Sequence, residues 1–176
     1  SSVCASAATP VTVNVSPTPD KPIIPTTFPS KVCIGQTATL EGTCSTGTIQ
    51  WFSDAALTNP ISAVVTPVSN VTYYAACVSG ACTSASSSAL VSVIQTPSVP
   101  ANLTPTPSLG CAGDPVEISG SCDVGTLLIY TDATLTTLVP NPVTPTAPST
   151  KYYASCTNQT CKSVYSEVTI NTAVKP

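Results

Sequence analysis

The sequence contains no histidine, no arginine and no methionine, and only 7% of its 176 residues are charged. A serine, threonine or cysteine nucleophile has to be activated by a neighbouring base or charge partner. With no histidine and no pair of carboxylates in the sequence, a nucleophile would have no evident base. The sequence therefore predicts a protein that is not an enzyme and that uses no cofactor.

The few charged residues give a formal net charge of −3, and the lysines form no cluster. Binding to nucleic acid or to an anionic membrane surface depends on clustered positive charge. No apolar run approaches the ~18 residues that a membrane-spanning helix requires. We therefore expect neither a nucleic-acid partner nor insertion into a membrane.

Scarce charge often accompanies disorder, but this chain has several segments in which Val, Ile, Leu and Tyr alternate with polar residues. Such segments can bury a core, so a folded protein is expected. No segment has a helical period, and the alternation predicts an all-β fold. The surface is then covered by Ser, Thr, Asn and Ala, which make it neutral and rich in hydroxyl groups.

The nine cysteines include no Cys-x-x-Cys pair, and there is no histidine to accompany them. A zinc site needs close pairs of ligands around one ion, so no metal site is expected. The alternative is a disulfide framework in an oxidising, extracellular environment. Small domains with thin cores commonly need such bonds.

Four cysteines recur in the same order at a nearly constant offset. Cys111 follows Cys33 and Cys122 follows Cys44 by 78 residues, while Cys156 follows Cys77 and Cys161 follows Cys82 by 79. The recurrence predicts two repeats, residues 16–94 and 95–176, cut from a longer array. Cys4 lies 78 residues before Cys82. Residues 1–15 are therefore predicted to be the terminal strand of a preceding repeat, and Cys4 is expected to be unpaired.

Each repeat places its best core residue between two cysteines. Trp51 follows Cys44, and a pair of tyrosines precedes Cys77. An inward Trp against a disulfide between two sheets is typical of immunoglobulin-like (Ig-like) domains. The sequence therefore predicts tandem Ig-like antiparallel β-sandwich repeats, stapled by disulfides, with seven or so short strands each. The inward core residues are predicted to be Trp51, Ile129, Tyr73 and Tyr152.

Two disulfides are predicted from strand direction. Cys44 and Cys77 each end a strand, and antiparallel order brings both cysteines to the same pole of the sandwich; the same holds for Cys122 and Cys156. We therefore expect the bonds Cys44–Cys77 and Cys122–Cys156. A bond between Cys33 and Cys44 is excluded because the extended strand between them spans roughly 33 Å, far beyond disulfide reach.

Proline-rich segments, residues 16–31 and 95–110, open the two predicted repeats. Proline lacks the amide that a central strand uses, so these segments are expected to be extended edge strands that also join one repeat to the next. Their polyproline character would limit bending between repeats.

Carboxylates in turns could suggest calcium sites. Asp54 and Asp132 occupy equivalent turn positions, but calcium takes several oxygens from clustered carboxylates, and no second carboxylate lies within five residues of Asp54. A role in capping the turn is favoured. The looser acidic group of Asp114, Glu117 and Asp123 is expected to be a solvated edge.

The order of these motifs resembles a known family. The pattern Cys-x-Gly…Leu…Cys-x-x-Gly-x-Ile-x-Trp…Asp-Ala-Ala-Leu-Thr-Asn-Pro-Ile…Thr-Tyr-Tyr-Ala-x-Cys…Cys-x-Ser starts at Cys33. It is similar to the Ig-like repeats of giant, SprB-like surface adhesins of gliding bacteria, which are exported by the type IX pathway. The resemblance covers both repeats and the leading strand. The second repeat departs from it, with Ile129 in the Trp position and Lys151 in place of Thr72.

The resemblance implies how the remaining cysteines pair. Cys33 is expected to bond to Cys82, and Cys111 to Cys161, each pair within one repeat. Strict Ig topology places these partners at opposite poles, so a competing solution stays open. In that solution Cys33, at the foot of one repeat, bonds to Cys161, at the head of the next.

The resemblance also implies a repeat shaft on the cell surface, whose partners are neighbouring repeats of the same chain. One alternative is a module that binds an extracellular polysaccharide or another surface. One tyrosine of each pair, Tyr73-Tyr74 and Tyr152-Tyr153, would be free to stack on sugars in that case. Another alternative is a subunit of a polymeric fibre that gives residues 1–15 as a strand to its neighbour.

Overall fold

A computed structural model describes residues 4, 6–24, 30–146 and 148–174. These residues form strands and loops, with no helix among them, so none of them lies in a helix that could cross a membrane. The strands of the first repeat are β1 (Lys31–Cys33), β2 (Ala38–Thr39), β3 (Thr48–Phe52), β4 (Pro60–Ile61), β5 (Val64–Val65), β6 (Val71–Ser79), β7 (Cys82–Thr83) and β8 (Ser87–Ile94). Those of the second are β9 (Ala101–Thr106), β10 (Leu109–Cys111), β11 (Glu117–Ser121), β12 (Thr126–Tyr130), β13 (Leu138–Val139), β14 (Ser149–Asn158), β15 (Cys161–Lys162) and β16 (Ser166–Ala173).

The chain divides into two compact units, and neither is a single stretch of sequence. Unit 1 comprises Ser1–Phe28, Thr39–Ala63 and Thr72–Leu90, and unit 2 comprises Pro29–Ala38, Val64–Val71 and Val91–Pro176. Unit 2 thus contains the second predicted repeat together with three short pieces of the first.

The second repeat is a sandwich of one large and one small sheet. The large sheet has the order β10-β16-β14-β12-β13, with β15 beside β14, and the small sheet pairs β11 with β9. Alternate residues of these strands point inward, as the period of two predicts. The core between the sheets contains Val116, Ile118, Ile129, Val143, Tyr152, Ala154, Val168 and Ile170, with Leu103, Leu127 and Val139 packed against it.

The first repeat has the same strand order in its large sheet, whereas its small sheet pairs a different set of strands. Its large sheet has the order β1-β8-β6-β3-β4, with β7 beside β6, and its small sheet pairs β2 with β5. Trp51 and Tyr73 are buried, at 3% and 8% exposure. The shared strand order reflects the shared alternation of apolar and polar residues in the two repeats.

Each large sheet contains one parallel pair, which differs from the wholly antiparallel prediction. Cys33 on β1 lies opposite Ile94 on β8, and Cys111 on β10 lies opposite Ala173 on β16. In each large sheet the first strand occupies the edge beside the last strand and runs in the same direction.

Residues 60–65, which are rich in β-branched and apolar side chains, form two strands rather than one. β4 pairs with β3 in the large sheet, whereas β5 pairs with β2 in the small sheet. The chain crosses between the sheets at Ser62 and Ala63, where the Ala63 carbonyl accepts a 2.7 Å hydrogen bond from the Leu40 amide. The β-branched residues of this segment indicate a strand, but they do not indicate that the chain changes from one sheet to the other.

The proline-rich segments lie at sheet edges where the structure describes them. β9 pairs with β11, and Pro105 lies opposite Ile118. In the first repeat, Ile23 forms an isolated bridge with Thr43, while residues 25–29 fall outside the described part of the chain. The described residues among 1–15 form no strand.

Candidate functional site

The cysteine framework is the candidate functional site, because it connects segments that are far apart in sequence. Cys44 is bonded to Cys77, and Cys122 to Cys156, each with a Cα–Cα distance of 5.7 Å. These are the two pairs expected from strand direction. Cys77 and Cys156 have no exposed surface.

The tryptophan position is one step along the sheet from the buried cysteine. Ile49 lies opposite Cys77, and Trp51 lies opposite Ala75, so Trp51 and Cys77 share the inward face of β3 and β6. In the second repeat the corresponding pairs are Leu127 with Cys156 and Ile129 with Ala154. Isoleucine at 129 is 2% exposed and fills this position without an aromatic ring.

The expected pairs Cys33–Cys82 and Cys111–Cys161 are wrong in this structure. Cys33 is bonded to Cys161, with a Cα–Cα distance of 5.7 Å, and Cys82 and Cys111 are free thiols. The competing solution, a bond from the foot of one repeat to the head of the next, is the one present. Both cysteines of this bond belong to unit 2.

The parallel pairing explains why the intradomain bond does not form. Cys33 lies beside Ile94, at the end of β8, whereas Cys82 precedes the start of that strand. The eight residues of β8 separate the two positions by roughly 25 Å at about 3.3 Å per residue. A disulfide requires Cα atoms within about 7 Å, so the two sulfurs cannot meet.

The same geometry brings Cys161 to Cys33. Asn158, which is the register partner of Cys161, donates from its side-chain amide to the Gln95 carbonyl at 3.0 Å. Gln95 directly follows Ile94, the register partner of Cys33. The β14–β15 hairpin therefore contacts Gln95, the first residue after β8, which lies beside Cys33 at the foot of the first repeat.

A buried serine in each Cys-x-Ser motif supports the core cysteine. The Ser84 hydroxyl accepts a 2.9 Å hydrogen bond from the Cys77 amide, and the Ser163 hydroxyl accepts one of 3.0 Å from the Cys156 amide. Both serines are 5% exposed. Sequence reasoning gave these serines no role, although their recurrence at a fixed spacing from cysteine was the available signal.

We expect Ser163→Ala to lower the free energy of unfolding by about 1–3 kcal/mol, because it leaves the Cys156 amide buried without its acceptor. Urea denaturation followed by the tyrosine signal measures the change. Ser119→Ala, on the exposed side of β11, is the matched control and should change stability little. Equal effects of the two substitutions would contradict the role given to Ser163.

Asp54 and Asp132 organise equivalent turns and do not gather other carboxylates. The Asp132 carboxylate accepts hydrogen bonds from the Thr134 and Thr136 hydroxyls and from the amides of Thr136 and Thr137. The Asp54 carboxylate accepts three of the four equivalent bonds, from the Thr58 hydroxyl and from the amides of Thr58 and Asn59. Among the described residues, no group of three or more possible ligands could hold a metal ion.

These hydrogen bonds favour the ionised form of both carboxyl groups. The Thr134 hydroxyl, followed by the Thr136 amide, holds the pKa of Asp132 well below its ordinary value. The Thr58 amide makes the largest contribution to lowering the pKa of Asp54. A carboxylate stabilised by several donors is what a turn-capping role requires.

The lowered pKa of Asp132 predicts a loss of stability in acid. A depressed pKa contributes stability above the unfolded-state pKa of about 3.9, and this stability is lost as the pH falls towards the folded-state pKa. Asp132→Asn removes the titrating group, so its melting temperature should fall less steeply between about pH 5 and pH 2 than that of the parent. Parallel curves for both proteins would contradict the prediction. Glu41→Gln, at an exposed position, is the control.

Asp123 contacts the proline-rich segment that precedes it, residues 95–110. Its carboxylate accepts hydrogen bonds from the Ser98 hydroxyl at 2.8 Å and from the Ser98 amide at 2.9 Å. The Ser98 hydroxyl makes the largest contribution to lowering the pKa of Asp123. Asp123 therefore fixes residue 98 of the linker beside the turn that opens β12.

The tyrosine pairs divide between core and surface. Tyr73 and Tyr152 are buried, and burial raises the pKa of both phenols. Tyr153 lies on the other face, where its ring makes an edge-to-face contact with Tyr165 at 5.1 Å between centroids. Tyr165 is 42% exposed. The second repeat therefore has a small aromatic surface made by Tyr153 and Tyr165.

Comparison with known proteins identifies the domain type. Residues 19–97 match the family model of an Ig-like domain described as CHU_C associated. The match covers most of the first repeat and identifies an Ig-like domain of bacterial type. Together with the sheets and disulfides described above, it confirms the predicted all-β, Ig-like fold. No curated protein matches the chain.

Solved structures similar to the chain include proteins with Ig domains. The N-terminal four Ig domains of Dscam1 isoform 6.9 are 10% identical, over 89% of this chain and 46% of that chain, with a TM-score of 0.31. The insect immune protein hemolin is 11% identical, over 88% and 47%, with a TM-score of 0.37. A chimeric titin Z1Z2 is 15% identical, over 92% and 100%, with a TM-score of 0.32. The chain spans about half the length of the first two, and at these values the likeness implies no shared function.

Proposed function

We propose that this chain is a structural repeat segment, a stiff disulfide-clamped spacer, of a secreted bacterial cell-surface adhesin that serves gliding or surface attachment. A spacer presents a distal binding region and has to keep its length under load. It needs neighbouring repeats as partners, and it needs neither a catalytic centre nor a cofactor.

The observation that carries this proposal is the Cys33–Cys161 bond, whose partners are 128 residues apart in sequence. Tension applied to the two ends of the chain cannot extend the residues inside that loop while the bond is intact. Three disulfides also indicate folding in an oxidising environment, as for secreted proteins.

The aromatic surface supports a second candidate function, in which the chain binds a polysaccharide or another surface. Tyr153 and Tyr165 present an edge-to-face pair on which sugar rings could stack. The third candidate, a fibre subunit that donates a strand, draws support from the exposed alternation of Val11, Val13 and Val15, each at least 79% exposed. Such a segment could complete the sheet of a neighbouring subunit.

A replacement experiment distinguishes the spacer from the binding module. Exchange of residues 1–176 in the parent adhesin for two unrelated Ig-like domains should preserve cell attachment if the segment is a spacer, whereas deletion should reduce it. Surface exposure of the adhesin is checked by antibody labelling of intact cells. Loss of attachment in the exchanged strain, at equal surface exposure, would overturn the spacer. Saturable binding of the purified chain to a polysaccharide, abolished by Tyr153→Ala, would favour the module.

A further inference from the structure

Every repeat carries one cysteine at each end. The foot cysteines are Cys33 on β1 and Cys111 on β10. The head cysteines, Cys82 and Cys161, begin the second strand of the β6–β7 and β14–β15 hairpins. One foot cysteine is bonded to one head cysteine, and the other two are thiols. Cys82 and Cys111 therefore remain available to form disulfides.

The two foot cysteines have the same backbone setting. Cys33 pairs in register with Ile94, and Cys111 pairs with Ala173, in both cases in a parallel ladder with the last strand. The amide that follows each cysteine donates to the carbonyl of that register partner, at 3.0 Å in both repeats. Cys111 is thus presented at the edge of its sheet as Cys33 is.

The two head cysteines are also held alike. In the second repeat, the hairpin that carries Cys161 contacts the Gln95 carbonyl through Asn158. In the first repeat, the Cys82 sulfur lies 3.8 Å from the Ser16 carbonyl, and Ser16 precedes Gln95 by the same 79 residues that separate the two cysteines. Each hairpin therefore contacts the segment that enters its own repeat.

The two head cysteines differ in exposure, whereas the two foot cysteines do not. Cys161 is 1% exposed within its disulfide and Cys82 is half-buried, while Cys33 and Cys111 are both half-buried. A hollow of about 180 Å³ lies beside Cys111, at the end of β16. Its lining consists of Ala112, Thr146, Pro148, Thr172, Ala173 and Val174. At Cys33 the neighbouring element is the β14–β15 hairpin, which carries Cys161. An equivalent hairpin from another copy of the repeat is therefore expected to occupy the hollow beside Cys111.

We propose that Cys111 and Cys82 are halves of further foot-to-head disulfides, each made with another copy of this repeat. Cys111 bonds to the head cysteine of a following copy, and Cys82 to the foot cysteine of a preceding one. Successive repeats are then joined by a disulfide as well as by the linker. This pairing goes beyond the proposed function, since it holds whether or not the array carries load.

The bond forms by oxidation of two thiols. Each sulfur loses its proton, the two sulfurs form one S–S bond, and two electrons pass to a small-molecule or protein disulfide. With oxidised glutathione as that acceptor, its S–S bond breaks and two glutathione thiols are produced. The net change is one disulfide exchanged for another.

A chain extended by one repeat tests the pairing. Pro176 corresponds to Pro97, so appending a second copy of residues 98–176 after Pro176 continues the repeat in register. The appended copy carries Leu109→Val, Ser119→Thr and Thr160→Ser, at exposed positions, so that its cysteine peptides differ in mass from the original ones. After refolding in a glutathione buffer, non-reducing peptide mapping should join Cys111 to the appended counterpart of Cys161. The appended Cys122–Cys156 bond reports that the added repeat has folded. A bond between the appended counterparts of Cys111 and Cys161, or a free Cys111 beside a folded repeat, would overturn the proposal.

Separate copies provide a second test that does not depend on folding of the extension. One variant, Cys4→Ser with Cys82→Ser, keeps Cys111 as its only free thiol, and another, Cys4→Ser with Cys111→Ser, keeps only Cys82. Mixed in a glutathione buffer, the two variants should form the Cys111–Cys82 heterodimer about ten times faster than either forms a homodimer, if docking precedes oxidation. Equal rates would indicate random collision and would overturn the proposal.

Discussion

Stretching the oxidised chain from its two ends should release only the residues outside the Cys33–Cys161 loop. The bonded cysteines are 128 residues apart, which corresponds to roughly 440 Å of extended chain at about 3.4 Å per residue. Reduction should make this length available, so the extension on unfolding should increase by several hundred ångströms. Single-molecule force spectroscopy with and without a reductant measures the difference.

A double substitution separates this bond from the other two. Cys33→Ser with Cys161→Ser leaves Cys44–Cys77 and Cys122–Cys156 closed, and these enclose separations of 33 and 34 residues. The variant should therefore gain roughly 60 residues of extensible chain, about 200 Å. Cys82→Ser, which alters a free thiol, is the control and should match the parent. An unchanged extension in the double variant would show that the long bond carries no tension.

The sequence was sufficient for the parts of the fold that depend on local pattern. Alternation placed Trp51, Tyr73 and Tyr152 on the inward face, and strand direction placed Cys44 and Cys77 at one pole. Both inferences need only the period of a strand and the sense of a hairpin. The turn role of Asp54 could also be derived, because it depends on donors within five residues.

The disulfide partner of Cys33 depends on which strand β1 pairs with and in which direction, and the alternation of residues in a strand does not specify either. Three residues at the start of a repeat can join either sheet, in either direction, and the choice of β8 as a parallel neighbour decides which end of the domain Cys33 reaches. The position of Cys161 then depends on residue 95, beyond the end of the first repeat. Resemblance to a repeat family favoured a bond within one repeat, and the geometry of the ladder overruled it.

The splitting of the 60–65 segment has a similar origin. Both halves are β-branched or apolar, so local propensity is the same on either side of Ser62 and Ala63. What distinguishes them is which neighbour has a free edge, β3 for the first half and β2 for the second. Strand propensity contains no information about a neighbour's free edge.

Gly125→Ala should be among the most damaging single substitutions in the second repeat. Gly125 has φ of +83°, and a Cβ at this position would lie 2.2 Å from the Thr157 carbonyl oxygen, which belongs to backbone. Thr157 directly follows Cys156, so any shift would disturb the strand that carries the core disulfide. We expect a loss of roughly 2–5 kcal/mol in the free energy of unfolding, from the left-handed backbone and the close contact together.

Gly113→Ala is the matched control for this prediction. Gly113 has φ of +86°, yet a Cβ added there would have no atom within 4 Å. Its cost should therefore be limited to the backbone conformation, about 1–2 kcal/mol. Urea denaturation of both oxidised variants gives the difference, which measures the close approach of Gly125 to the Thr157 carbonyl. If the two substitutions cost the same, the backbone conformation alone would account for the glycine at the β12 turn. The same conclusion would apply to Gly47, where an added Cβ would lie 2.3 Å from the Val78 carbonyl oxygen.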